Sequence, residues 1–454
     1  MTKDMTTGNP AKLILYFSIP LLIGNIFQQF YSMVDTIIVG RFIGVEALAA
    51  VGATGAMSFL ILGFVNGLTG GFSVMVAQKF GANDEKGLRK SVATSTILCV
   101  IMTIIITIIS VLTAKPLLNL MNTPANIIND ANSYIIVIYA GTAATVFYNM
   151  ISSILRALGD SKTPLYFLII SSILNVILDL VFIINLSMGV KGAAYATVIS
   201  QLVSGFLCLI YTAKKYTILK LKKEDWNFEF KFAIKHLNIG IPMALQFSIT
   251  AIGVMVLQSS LNAFGSTIIA AYTAASKVEQ LVMQPSITFG ITMATYCGQN
   301  LGAKKIDRIK EGVKRCSQIS LIISIIAGII VIIFGGSFTK LFINNAEPSV
   351  IKAAEHYLNI VSVFFTILSL LFIYRNALQG MGDAFIPMMA GVAELVVRVI
   401  VAFTLPAFIG YTGICLASPI AWIAATIPLS IKYFKTINNM LKKPNSSSAK
   451  ISNF

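Results

Sequence analysis

Apolar runs of membrane-spanning length recur along this 454-residue chain, and that recurrence limits the fold before any motif is read. A helix needs about 20 predominantly apolar residues to cross the hydrocarbon core. By that rule the sequence gives twelve runs, near 13–39, 55–78, 92–114, 132–155, 164–186, 192–213, 238–263, 267–298, 316–339, 355–378, 385–408 and 412–433. In lipid, such segments satisfy their backbone N–H and C=O groups only as helices or closed barrels, and runs of this length fit helices. The expected fold is an all-α polytopic membrane protein. Composition agrees: 56% of residues are hydrophobic, 11% are charged and the mean hydropathy is +0.82, whereas soluble domains carry about 25% charged residues.

The net charge of +16 would suggest nucleic acid in a soluble chain. Here most Lys and Arg residues, Arg375 and the tail lysines among them, fall in alternate segments between the runs. This bias orients the helices and puts both termini in the cytoplasm. No nucleic-acid partner is expected, and the N-terminal segment shows no cleavable signal. The segment KKYTILKLKKEDWNFEFKFAIKHL, residues 214–237, reads as a cytoplasmic linker helix lying on an anionic leaflet. Five cysteines are scattered singly and two histidines form no cluster, so neither a disulfide framework nor a zinc site is expected. Nucleotide-binding and nucleophile motifs are absent. The chain is not expected to be an enzyme or to carry a cofactor.

The halves repeat. IGVEALAAVGATGAMSFL at 43–60 lines up with FGSTIIAAYTAASKVEQL at 264–281, and Gln78, Gly81 and Ala82 then fall on Gln299, Gly302 and Ala303. Ile19-Pro20 matches Ile241-Pro242, and ALGDSKTP at 157–164 matches GMGDAFIP at 380–387. The expected organisation is a six-helix lobe over 1–213, the linker 214–237, and a second six-helix lobe with a cytoplasmic tail over 238–454. Six spans per lobe make the repeats parallel, related by a pseudo-two-fold axis along the membrane normal.

Asp35 stands inside the first run, where a charge costs about 2.5–3.5 kcal/mol even on lenient insertion scales. The repeat places Asp35 opposite Val256, Asn175 opposite Arg398 and Asp179 opposite Ala402. Residues needed only for packing would recur in both lobes, so the asymmetry favours function. Helical spacing puts Asp179, Asn175 and Ser172 on one stripe, Asp35, Tyr31 and Gln28 on another, and Thr197, Gln201 and Ser204 on a third. Two close acids cannot both stay ionised when dry; one holds a proton, or a cation lies between them. An oxygen-only set suits H⁺ or Na⁺ and not a transition metal. Glu394 and Arg398, at i and i+4, read as a structural ion pair.

The patterns IP…QFYSMVDTIIVGRFIGVEALAAVG, QKFGAND, QNLGAKK and LRALGDSKTP resemble the multidrug and toxic compound extrusion (MATE) family, in its DinF-like and MepA-like bacterial branch. The resemblance covers residues 10–437. It implies a twelve-helix secondary active antiporter of the bacterial inner (cytoplasmic) membrane, exporting amphipathic, often cationic drug-like compounds in exchange for H⁺ or Na⁺ by alternating access. It also implies a monomer in contact with membrane lipids. Asp35, Asn175, Asp179 and Thr197 match the family's first-lobe ion site residue by residue, and a bound Na⁺ there is the one metal expected. Pro20 matches a first-helix hinge. The candidate substrate contacts are Gln28, Tyr31, Asn149, Ser172, Glu279 and Met283. The seventh span carries no acid, which departs from branches that couple through a glutamate there. The alternative is a flippase for a lipid-linked saccharide precursor from the same superfamily.

Overall fold

A computed structural model of the chain describes residues 4–342 and 347–442. Lys3, expected on the cytoplasmic side, and the tail lysines Lys443 and Lys450 lie outside the described residues. Within them the fold is helical, without strands. The helices run α1 (Pro10–Phe42), α2 (Val45–Ala53), α3 (Gly55–Gly81), α4 (Glu85–Leu120), α5 (Ile128–Ala140), α6 (Thr142–Ala157), α7 (Lys162–Leu180) and α8 (Val190–Lys215). There follow α9 (Phe230–Leu261), α10 (Ser266–Val282), α11 (Gln284–Gly302), α12 (Ile306–Lys340), α13 (Pro348–Val363), α14 (Phe365–Gly380), α15 (Phe385–Thr404), α16 (Pro406–Ile409) and α17 (Tyr411–Lys442).

Among the described residues nine helical segments are each long and apolar enough to cross a membrane, and two pairs do so together, α5 with α6 bent by 46° and α13 with α14 bent by 50°. The remaining expected span, 267–298, is divided: α10 ends and α11 begins at Met283. Pro285 at the start of α11 explains the break, since it lacks an N–H and is best tolerated in a helix's first turn. Outward faces are apolar. On α4 they present Ile101, Ile104, Ile105, Ile108 and Leu112, and on α12 Ile322, Ile325, Ile329 and Ile333. Polar residues such as Asn175, Asp179, Gln299 and Asn300 are buried instead. That is the distribution expected of a protein solvated by lipid.

The repeat is visible in the backbone. Gly44 before α2 and Gly265 before α10 both have positive φ (125° and 81°), as do Gly189 before α8 and Gly410 before α17 (59° each). Glycine adopts this conformation without a Cβ clash. Asn83 and Lys304, at matching points of the QKFGAND and QNLGAKK loops, turn left-handed too, with φ of 54° and 58°.

The chain forms two compact units, one holding Ile19–Ser248, the other Met5–Ser18 and the chain from Ile249 onward. The division passes inside α1 and α9 rather than through 214–237. Each of these helices carries an internal proline, Pro20 or Pro242, which removes a backbone hydrogen bond. In the first unit, Gly63, Gly67 and Gly71 of α3 let α9 approach closely: a Cβ at Gly67 would lie 2.5 Å from the Met243 carbonyl oxygen, and one at Gly71 2.5 Å from Gly240 Cα. Small residues spaced four apart allow such crossings in membranes. In the second unit the segment before α1 is strapped to the α11–α12 loop. The Met5 amide donates to Gln299 Oε1 (2.9 Å), Lys305 Nζ to the Thr6 carbonyl (2.9 Å) and Arg308 Nη1 to the Gly8 carbonyl (2.9 Å).

Candidate functional site

In the first unit α1, α7 and α8 bring Asp35, Tyr31, Asn175, Asp179 and Thr197 together. The carboxyl groups of Asp35 and Asp179 lie within hydrogen-bonding range of each other. Asn175 Nδ2 donates to Thr197 Oγ1 at 3.3 Å, and the Tyr31 phenol lies within hydrogen-bonding range of the same hydroxyl. Asn175 and Asp179 are fully buried, at 0% exposure. Both carboxylate oxygens of Asp179, Oδ1 of Asp35 and Oδ1 of Asn175 are buried oxygens with no protein donor directed at them. Unsatisfied buried acceptors cost roughly 1–3 kcal/mol each, more when charged. Two carboxylates 4 Å apart repel by about 4 kcal/mol at an effective dielectric constant of 20. One proton relieves the repulsion, and one monovalent cation relieves it and offers a ligand partner to the unpaired oxygens as well. The donor set is oxygen throughout, and no three or more His, Cys, Asp or Glu residues are grouped to hold a metal among the described residues.

Two features of this site were not read from the sequence. Tyr134 of α5 is buried beside Asp35, Tyr31 and Asp179; its repeat partner is Tyr357, and that pairing was the available signal. Immediately after Asp179 and Leu180 the backbone widens into a π-helical turn, Val181–Asn185. Such turns frequently occur at functional sites.

The outer parts of the expected polar stripes do not join this group. Gln28 is exposed and Asn149 half-buried. Ser172 Oγ donates to the Leu168 carbonyl at 2.9 Å, Ser204 Oγ to the Phe167 carbonyl at 2.6 Å, and Gln201 accepts from Thr145. Ser172 bonds the preceding turn of its own helix, as hydroxyl groups in membrane helices commonly do, whereas Ser204 reaches from α8 to α7 and Gln201 is engaged from α6. Pro20 is buried within α1.

The second unit has a different buried polar group. Glu279 of α10 accepts a hydrogen bond from the Tyr357 phenol at 2.7 Å, and the Tyr357 ring meets Tyr272 edge-on at 5.1 Å. Lys277 is exposed. Arg398 is the base whose charge reaches Glu279. Met283 is half-buried where α10 gives way to α11. Glu394 pairs with Arg398 as expected (2.7 Å) and also with Arg375 (2.7 Å), all three at least nine-tenths buried. Arg375 is therefore a buried partner of Glu394 and not an exposed loop base. Gly253 of α9 makes room for the Arg398 guanidinium, since a Cβ there would lie 2.4 Å from Arg398 Nη1.

Membrane-length helices in repeated order, with ionisable side chains withdrawn from the lipid-facing surface, define a polytopic helical membrane transporter. The MatE family model matches residues 20–181 and 242–404, and the chain belongs to that family of multidrug efflux transporters. It is similar to the probable multidrug resistance protein YpnP of Bacillus subtilis, 28% identical over 383 residues and 84% of each chain. It is also similar to the multidrug export protein MepA of Staphylococcus haemolyticus, 21% identical over 403 residues, 89% of this chain and 88% of that one. The outward-facing structure of a multidrug resistance MATE transporter superposes with a TM-score of 0.90 at 25% identity, covering 97% of this chain and 99% of that one.

Proposed function

We propose that the protein is a secondary active antiporter that exports amphipathic, often cationic compounds in exchange for H⁺ or Na⁺. It works by alternating access as a monomer in a bacterial-type cytoplasmic membrane, with both termini inside and no organic cofactor. The observation that carries the coupling is the Asp35–Asp179 juxtaposition, with buried oxygens to which no protein donor is directed. A proton or Na⁺ taken up by Asp35, Asn175, Asp179 and Thr197 cancels the negative charge that attracts a cationic compound. Ion loading and drug retention then oppose one another, which is the requirement for exchange.

Glu279 and Met283 belong to substrate contact in this reading, with Tyr31 bridging the ion group and Gln28 exposed one helical face away. Pro20, where α1 lacks a backbone hydrogen bond, is the place for α1 to bend as the ion group changes occupancy. No observation favours export of a lipid-linked saccharide.

The test is flux of a cationic dye in vesicles carrying the purified protein, with Na⁺ and pH gradients imposed separately. One gradient drives uphill export and the other does not. Dye movement indifferent to both gradients ends the antiport reading.

A further inference from the structure

The segment between α8 and α9 is held to the first unit along one side and bare along the other. On its inner side Tyr216, 3% exposed, hydrogen-bonds Asp160, while Ile218, Leu219 and Leu221 pack on the cluster of Leu88, Val92, Leu155 and Leu158. Asp225, also 3% exposed, lies 3.3 Å from Arg89 and accepts from the Lys222 amide at 2.7 Å. Glu229 pairs with Lys90. The expected linker helix is replaced by two single 3₁₀ turns, Thr217–Leu219 and Lys223–Trp226. Because the fixed points are close together, the outward side chains are held in place rather than strung on a flexible loop.

Those outward side chains are of two kinds. Lys214, Lys215, Lys220, Lys222 and Lys223 are exposed. Beside them Trp226, Phe228 and Phe230 are 45%, 42% and 72% exposed. Three exposed aromatic residues in five positions are unfavourable in water, yet suit the headgroup level of a bilayer. Along the chain the segment joins α8, which exposes Phe206, Leu209 and Ile210, to α9, which exposes Ile234. A short connection between two membrane-length helices lies near the headgroup level, where lysines meet lipid phosphates. Of the nearby acids, Asp225 and Glu229 are already paired and the exposed Glu224 offsets one lysine, which leaves the five-lysine patch positive.

We infer that residues 214–230 form a preordered binding surface for anionic phospholipid headgroups, in which Lys220, Lys222 and Lys223 hold the phosphates and Trp226, Phe228 and Phe230 enter the interface. The inference rests on the membrane fold and not on the coupling ion. Each lysine near an anionic surface contributes about 1 kcal/mol, or about fivefold in local lipid preference.

The chain has two tryptophans, and Trp422 is buried, so Trp226 reports on this surface. The full-length protein is placed in bilayers containing brominated phosphatidylglycerol or, at equal mole fraction, brominated phosphatidylcholine. The Trp226 signal is the difference from a Trp226→Phe variant. Quenching should be stronger by the brominated phosphatidylglycerol, should weaken as salt shortens the screening length to about 3 Å at 1 M, and should be unaffected by inorganic phosphate. The Lys220→Gln/Lys222→Gln/Lys223→Gln variant, whose changes are all exposed, should lose the preference and co-purify with less phosphatidylglycerol by lipid mass analysis. Equal quenching by both lipids, or quenching by soluble acrylamide alone, overturns the proposal; so does an unchanged preference in the triple variant.

Discussion

The Ser18 hydroxyl lies 2.8 Å from the Thr292 hydroxyl in the second unit, the repeat counterpart of the approach of Gly240 to Gly71 in the first. The alignment of Ile19-Pro20 with Ile241-Pro242 puts Ser18 opposite Gly240, and that of Gln78 with Gln299 puts Thr292 opposite Gly71. One ancestral crossing is thus closed by a side-chain hydrogen bond in one unit and by backbone contact in the other. The two should respond differently to substitution. Gly71→Ala forces a Cβ onto Gly240 Cα and should cost about 1–3 kcal/mol, the range for overpacking. Ser18→Ala removes one hydrogen bond and should cost about 0.5–1.5 kcal/mol. Thermal unfolding of both variants in the same detergent checks the order; a milder Gly71→Ala would contradict the close approach.

How much was legible follows the same contrast. The spans, the repeat and the acidic group are written in residue types at fixed spacing, so α1, α7 and α8 were readable with Asp35, Asn175, Asp179 and Thr197 on their inner faces. Tyr134 was not, because a tyrosine in an apolar run has no polar periodicity to mark it. Arg375 misled, since a base near a span's end looks the same whether it reaches water or a buried Glu394. The split of α1 and α9 between units depends on which neighbours each half packs against, a tertiary property that no local pattern carries. The QKFGAND and QNLGAKK loops were legible as motifs; the structure adds the reason, a left-handed turn at Asn83 and Lys304.

Asp160 joins the α6–α7 loop to the linker. It accepts from the Thr163 and Lys162 amides, each at 3.0 Å, from the Thr163 hydroxyl at 2.6 Å, and from Tyr216. Burial alone would push its carboxyl up, but the bonds from the Thr163 and Tyr216 side chains and the two amides hold it below the usual carboxylate range. A depressed carboxylate contributes stability above its unfolded value of about 3.9, and that stability is lost as pH falls through the lower folded value. Asp160→Asn should therefore lower stability by about 1–2 kcal/mol, with a constant deficit across neutral pH that closes only below about pH 4. Unfolding midpoints across pH measure this. A deficit that disappears near neutrality would refute the assignment.

Glu394 serves two buried guanidinium groups, each at 2.7 Å. Removing it leaves two like charges without their carboxylate, and breaking a buried pair costs about 3–5 kcal/mol. Glu394→Gln should reduce folded yield far more than Arg375→Met or Arg398→Met, since either of the latter keeps one paired arginine. Size-exclusion recovery after membrane extraction separates the cases, and equal recovery for all three would remove the structural role of Glu394.

Glu279 is buried and accepts from Tyr357 at one oxygen, in a unit whose neighbouring bases, Arg375 and Arg398, are both paired with Glu394. As a contact for cationic compounds, Glu279→Gln should weaken export of cations roughly tenfold, about 1.4 kcal/mol, and change neutral compounds little. Tyr357→Phe should fall between, because the carboxylate remains but loses its orienting donor. Parallel export assays on a matched cationic and neutral compound test this. Equal losses for both compounds would place Glu279 in the packing of α10 and α13.

The final prediction concerns Asp35 and Asp179. If their proximity serves ion exchange, each must be able to alternate between sharing an ion and standing free of it. Asp35→Asn resembles a permanently loaded site: the amide carries no charge, and the repulsion between two close carboxylates disappears. The variant should therefore insert and fold at least as well as the parent, yet lose gradient-driven export by at least a hundredfold, about 2.7 kcal/mol of coupling. Asp179→Asn should do the same. Asn175→Ala and Thr197→Ala leave both acids in place and should retain partial export. Tyr31→Phe, which removes a hydroxyl near Thr197 while sparing every carboxylate oxygen, should shift the gradient needed for half-maximal export rather than abolish it. Surface expression and dye export measured together decide the matter. Stable Asp35→Asn protein exporting at the parental rate would mean that the acidic group only holds α1, α7 and α8 together, and coupling would then have to be sought at Glu279.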